Sequence, residues 1–282
     1  MAGPTYTETF HHTVYPSISH TRPELSLSGK TIFITGGGSG IGAAMASTFA
    51  AAGAANILLM GRTLSRLEAV KATVEASHPS TAVAVHAGDV TKAADVADAF
   101  QHLKTAFGAT TAVDALIANA GHLSTPTALA TADPEDWWRG YEVNVKGLFN
   151  LAQRFLEVAA PEAALVNIST MAAHAGAYPA FSGYVGSKAA AVKVMEVLQK
   201  ERKDLRFVSA HPGVIETAMY TKSGLAIPCD DIDLSSHFFL WLISPEADFL
   251  KGKFVWVNWD VDELKERREQ IAGGNELSIG LL

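Results

Sequence analysis

Tyr184 and Lys188 stand four residues apart in the stretch Tyr184-Val185-Gly186-Ser187-Lys188. On a helix that spacing puts a phenol and an ammonium on one face, one turn apart. A free tyrosine titrates near about 10, and a cation a few ångströms away favours the phenolate and lowers that value. The expectation is a tyrosine tuned to give or take a proton. Two residues fix only a spacing, so the surrounding elements must define the site.

A second stretch with chemical potential lies far upstream. Residues 35–42 read TGGGSGIG, directly after the β-branched apolar run at 31–35 and at the start of an alanine-rich segment. In a strand-turn-helix unit, Gly36, Gly38, Gly40 and Gly42, with Ser39 among them, let the backbone turn tightly and approach a pyrophosphate at the helix N-terminus. This predicts a bound dinucleotide. At the end of the second strand an acid would hold a ribose 2′-hydroxyl, whereas an arginine pairs with a 2′-phosphate. The chain has Gly61-Arg62 there, with Arg66 one turn on, so NADP(H) is expected in preference to NAD(H).

The elements that must position these residues alternate regularly. Strands are expected at 31–35, 56–60, 82–87, 115–118, 164–168, 207–210 and 254–257, and helices at 41–52, 65–76, 93–107, 135–158, 182–200 and 236–243. Such alternation predicts an α/β fold, a Rossmann-type doubly wound, seven-stranded parallel sheet with helices on both faces. The helix at 135–158 has a clear start, with Asp133 as N-cap and Pro134 in the first position. Residues 216–235, punctuated by Gly224, Pro228 and the Asp230-Asp231 pair, read as a long surface loop containing one short helix and suited to substrate binding. Residues 262–270 read as a charged helix with a solvated face. The chain divides into an N-terminal arm at 1–28 and a single domain at 29–282.

Composition narrows the partners. With 22 basic and 29 acidic residues among 282, the formal charge is -7, without the basic surplus that attracts nucleic acid. The uncharged run at 31–61 is long enough to suggest a membrane span, but seven glycines break it, so no membrane partner is expected. The single cysteine, Cys229, excludes an intrachain disulfide, and residues 1–28 carry no apolar leader. A cytoplasmic protein is the expectation. The ten histidines lack metal-ligand spacing, so no metal is expected.

Several motifs recur together: TGGGSGIG at 35–42, Gly88-Asp89-Val90, Asn119-Ala120-Gly121, Asn144, NIST at 167–170, Tyr184-x-x-x-Lys188, and HPGVIET at 211–217. In this order the chain resembles the short-chain dehydrogenases/reductases from about residue 25 to 260. The resemblance implies that Tyr184 is the general acid/base and that Lys188 is its electrostatic partner, also bonded to the nicotinamide ribose. It implies that Asn144 holds a water of the proton relay. Asp89 and Val90 would lie beside adenine, with Asn119, Ala120 and Gly121 behind the adenine ribose. Pro212, Gly213, Val214 and Thr217 would embrace the carboxamide, and Ile41 would touch the pyrophosphate. One departure stands out: the serine that usually bonds the substrate oxygen is replaced by Thr170, whose β-methyl crowds the site. Ser169 would point the other way, as a buried hydroxyl bonded to the backbone.

Around these positions Tyr178, Phe181, Met219 and Tyr220, with His122, Leu225 and Ile227, suggest an apolar small-molecule substrate. The favoured activity is hydride transfer between the nicotinamide and a carbonyl or secondary alcohol. One alternative is a redox-neutral isomerase, dehydratase or cyclase, for which Thr170 is the motive. Another is a non-enzymatic NADP-binding protein, against which the set Asn144, Tyr184 and Lys188 argues. Analogy with the family implies a homodimer or homotetramer packed through the helices at 135–158 and 182–200. The arm, with Tyr15-Pro16 and Arg22-Pro23, and the tryptophan-rich end at 254–259 resemble those of fungal members acting in secondary metabolism.

Overall fold

The computed structural model describes residues 6–280; the first five residues of the arm and the last two of the chain lie outside it. The strands are β1 (Thr31–Thr35), β2 (Asn56–Gly61), β3 (Ala82–Ala87), β4 (Val113–Ala118), β5 (Ala159–Ile168), β6 (Arg206–His211) and β7 (Phe254–Trp256). They form one sheet in the order β3-β2-β1-β4-β5-β6-β7, every pair parallel. The order reverses between β1 and β4, which places the topological switch point at the carboxyl ends of those two strands.

Among the described residues the α-helices number ten: α1 (Gly40–Ala51), α2 (Leu64–Ser77), α3 (Ala93–Phe107), α4 (Pro134–Tyr141), α5 (Gly147–Val158), α6 (Ser182–Glu201), α7 (Ala218–Ser223), α8 (Ile232–Ile243), α9 (Val261–Glu266) and α10 (Arg268–Gly273). Every residue of β1 is buried, because both faces are covered. Ile32 and Ile34 join one core with Phe49 of α1 and Phe238 of α8, while Phe33 joins the other with Phe100 of α3 and Phe155 of α5. The strand period of two thus feeds two helix layers.

The expected helix at 135–158 is continuous in path but not in type. A five-residue π segment, Glu142–Lys146, separates α4 from α5, and the N–H of Gly147 donates to the carbonyl of Glu142. The wider turn carries Asn144 into the interior. β5 starts at Ala159 rather than at 164, directly after α5, and its register against β4 shifts between Val113 and Ala115. Glu162, at φ 61°, marks this irregularity, which no apolar alternation signals.

Two further expectations are corrected. The helix expected at 236–243 begins at Ile232, because Asp231 caps it by accepting from the N–H of Asp233. The pair read as loop punctuation is a helix start. The charged tail is two short helices, α9 and α10, and Val261, Leu264 and Ile271 are buried. Its apolar side completes a core under the N-terminal arm.

That arm lies as a strap along the end of the sheet. Phe10 bridges Trp259 antiparallel, and the N–H of His11 donates to the Asn258 carbonyl at 2.7 Å. The ring of His11 stacks on Tyr15 at 3.6 Å, and Nε2 of His11 donates to Asp260 at 2.8 Å. Arg22 grips Glu246 at 2.6 Å.

Candidate active site

The glycine turn takes its shape from close backbone approaches. Gly36 and Gly40 adopt φ of 67° and 53°, where a side chain is strained. A Cβ on Gly42 would lie 2.4 Å from the Gly36 carbonyl oxygen and 2.8 Å from Nδ2 of Asn119, so only glycine lets α1 leave β1 this tightly. Asn119 fixes the turn by donating from Nδ2 to the Thr35 carbonyl at 2.9 Å, and the N–H groups of Asn119 and Ala120 both donate to Oγ1 of Thr35 at 3.1 Å. Ser39 precedes α1 without a side-chain cap, so the first-turn N–H groups are open to an anion. A glycine cradle with an uncapped helix start fits a dinucleotide pyrophosphate.

Gly38 packs against the stem of Arg66, whose Cβ would be 3.1 Å from an added methyl. Arg62 follows β2 directly, and both arginines are exposed. Neither guanidinium has a partner among the described residues. Asp89 differs. Its carboxylate accepts from Thr91 and from Arg139 at 2.8 Å, and these bonds outweigh burial and hold its carboxyl below the usual range. Val90 is buried and packs against Gly147 at the start of α5.

Three glycines seat α6 against its neighbours. A Cβ on Gly183 would lie 2.8 Å from the Trp137 ring and one on Gly186 2.5 Å from the Tyr141 hydroxyl, while Gly140 meets the Gly183 backbone. The helix therefore approaches α4 closely and presents Tyr184 and Lys188 inward. Lys188, 4% exposed, donates from Nζ to the Ile168 carbonyl at 2.6 Å, and its nitrogen is 6.0 Å from the Tyr184 ring centroid. Burial lowers its ammonium to about 8. Tyr184 keeps an open edge, but burial of its hydroxyl raises the phenol to about 12, against the pull of a hydrogen bond with Thr170.

This reverses the expected shift. Desolvation dominates at both residues, and each group is pushed toward its neutral form.

Asn144 is buried and its amide is committed. Nδ2 donates to the His122 carbonyl and to Oγ of Ser187, both at 2.9 Å, and Oδ1 accepts from the His122 N–H at 2.8 Å. One acceptor lone pair of Oδ1 is left. Ser187 in turn donates to the Tyr184 carbonyl at 2.8 Å, so it ties the π segment to the tyrosine helix. A Cβ on Gly121 would lie 3.5 Å from both Oδ1 of Asn144 and Nζ of Lys188, so glycine there leaves these groups room to converge.

Ser169 corrects another expectation. It is buried, but its Oγ has no partner among the described residues. The neighbouring His211 is also buried, its imidazole is pushed down to about 4, chiefly by burial, and its Nδ1 is unpartnered.

A cavity of about 190 Å³ opens between Tyr184, Thr170, Ile41 and the loop carrying Pro212, Gly213, Val214 and Thr217. Its far wall is apolar, from Tyr178, Phe181, Met219, Tyr220, Leu225 and Ile227. The two glycine-dependent segments meet here, since a Cβ on Gly40 would lie 3.1 Å from Cγ2 of Thr217. His122 does not line the cavity. Its Nε2 bonds Asp136 at 2.8 Å instead, and the Thr125 N–H together with this histidine holds the Asp136 carboxyl down at about 2.

Comparisons with known proteins agree with this geometry. The family model described as short chain dehydrogenase matches residues 30–226. A "Short chain dehydrogenase/reductase" of Claviceps purpurea is 38% identical over 99% of this chain and 95% of its own length. The "Short chain dehydrogenase/reductase AacuD" of Aspergillus aculeatus is 34% identical over 98% and 96%. Among solved structures, a "Short-chain dehydrogenase/reductase SDR:Glucose/ribitol dehydrogenase" from Brucella melitensis superposes with a TM-score of 0.73 at 25% identity, covering 84% of this chain and 98% of its own.

Proposed function

Since this chain belongs to the short-chain dehydrogenase/reductase family, we propose that it is an NADP(H)-dependent oxidoreductase acting between a carbonyl and a secondary alcohol on an apolar small molecule. The observation that carries this reading is the meeting of Tyr184 and Thr170 at one wall of an apolar cavity, beside the glycine cradle. A nicotinamide held there would supply the hydride in reduction and accept it in oxidation. Gly36, Gly38, Ser39, Gly40, Ile41 and Gly42 would hold the pyrophosphate, and Asp89, Val90 and Asn119 to Gly121 the adenosine end. Pro212 to Val214, with Thr217, would take the carboxamide.

The residues of the chain do the rest. Tyr184 is protonated at neutral pH in the cofactor-free protein, the state needed to donate to a carbonyl oxygen. Thr170 bonds the same oxygen and favours its developing negative charge. Lys188 keeps two N–H groups beyond the one spent on Ile168, enough to hold the ribose. Asn144 accepts the relay water through its remaining lone pair. The apolar wall orients the substrate and excludes water.

The relatives are fungal, which supports a place in secondary metabolism. Exposed Phe149 on α5 and Val197 on α6 are apolar surface suited to a second copy, supporting a homodimer or homotetramer. Among the described residues no helix is long and apolar enough to cross a membrane.

The proposed preference for NADP(H) rests on Arg62 and Arg66. The free guanidiniums of Arg62 and Arg66 beside the cradle support a 2′-phosphate, so wild type should reduce a panel of apolar ketones faster with NADPH than with NADH. Arg62→Ala should shrink that preference about tenfold, the effect of losing a charge-assisted hydrogen bond. Equal use of NADH by wild type would contradict the assignment.

A further inference from the structure

One carboxylate outside the cavity joins three segments far apart in the sequence. Asp230 lies at the end of the substrate loop with its side chain 6% exposed. Its Oδ2 accepts from the Val214 N–H at 2.8 Å, and its own N–H donates to the Val214 carbonyl at 2.7 Å. Both backbone groups of Val214 therefore end on this residue. Its Oδ1 accepts from Nδ1 of His12 at 2.5 Å, and the N–H of Asp231 donates to the His12 carbonyl at 2.9 Å. Gly213, at φ 81°, makes the approach possible, since a Cβ there would lie 2.7 Å from Oδ2.

The turn held in this way is the one that lines the cavity with Tyr184. His12 and Asp230 both fall outside the stretch at 30–226 matched by the family model, while Val214, which Asp230 holds, lies inside it. We infer that Asp230, braced by His12 of the N-terminal arm, is a positioning residue that presets the Pro212-Gly213-Val214 turn for the nicotinamide end of the cofactor. The inference rests on the dinucleotide reading above. An unclamped turn would have to be ordered during binding, and affinity would fall by the entropy of that ordering.

The experiment compares two ligands, the intact dinucleotide and the matching ADP-ribose fragment that lacks nicotinamide. Each is titrated against the full chain, using whichever of NADPH and NADH wild type binds more tightly. Asp230→Ala should raise the Kd of the intact dinucleotide about tenfold and leave that of the fragment unchanged. Asp230→Asn, which keeps an acceptor for the Val214 N–H, should recover most of the loss. His12 is 66% exposed, so His12→Ala spares the fold. It should show the same split at roughly threefold, and adding it to Asp230→Ala should weaken binding no further. Equal weakening of dinucleotide and fragment, or no weakening of either, overturns the positioning role. If wild type binds neither dinucleotide, the cofactor reading falls with it; if wild type binds and the variants match it, only the positioning inference falls.

Discussion

Replacing Tyr184 by phenylalanine is expected to lower kcat roughly a thousandfold, within the range that general acid-base groups contribute, while the dinucleotide Kd stays near its wild-type value. The substitution removes one oxygen from a ring that is otherwise held by packing, so the fold is preserved. What disappears is the hydroxyl that faces the cavity beside Thr170, the proposed proton donor to the carbonyl. Because that phenol sits at about 12, reduction by wild type should hold its rate through neutral pH, with the acid form dominant. Single-turnover measurements with saturating NADPH check this directly. A variant with near wild-type kcat would remove Tyr184 from the chemistry.

The second large effect separates stability from activity. Lys188 is buried and its folded value of about 8 lies below its ordinary 10.5. The folded chain therefore binds fewer protons than the unfolded one between those values, and stability rises with pH across that window. Below about 8 the buried ammonium has its full unfavourable effect, only partly offset by the bond to Ile168. Lys188→Met, similar in length and uncharged, should stabilise the cofactor-free protein at neutral pH by about 2 kcal/mol. The gain should fade as pH rises from about 8 to 10.5. The same variant should lose kcat/KM at least about a hundredfold, since the ammonium proposed to hold the ribose is gone. Urea titrations at several pH values and steady-state kinetics test the two halves. A destabilised variant at pH 7 would show that the ammonium is a structural asset instead.

What could be read from the sequence was local. The strand-glycine-helix unit around Gly36 and Gly42 carries its own geometry, because only glycine tolerates those approaches. The βα alternation is set by apolar period and length, and it delivered the sheet. The elements that escaped depend on distant contacts. The π segment around Asn144 keeps the polarity pattern of a helix while its hydrogen bonds lengthen to i→i+5. The early start of β5 runs through Pro161 and Glu162, residues that mark turns rather than strands.

At the site, the spacing of Tyr184 and Lys188 foretold a shared helix but not the sign of the shifts. Burial sets that sign, and burial depends on α4 docking through Gly140, Gly183 and Gly186. Gly183 and Gly186 were visible in the stretch around Tyr184 and are the signal that could have revealed the packing. His122 looked like a cavity residue from its place after Gly121, yet Asp136, fourteen positions on, turns its ring away. Asp230 and His12, 218 positions apart, left no trace in any local pattern.

The central claim is hydride transfer to a carbonyl with Tyr184 supplying the proton, and deuterium tests it most directly. Wild type is incubated with NADPH carrying deuterium on the transferred face of the nicotinamide and with a panel of apolar ketones, and the products are read by mass spectrometry. One deuterium on the carbinol carbon of a product alcohol, formed in equal amount to the NADPH consumed, is the predicted result. Product formed without deuterium and without loss of the nicotinamide absorbance would contradict it.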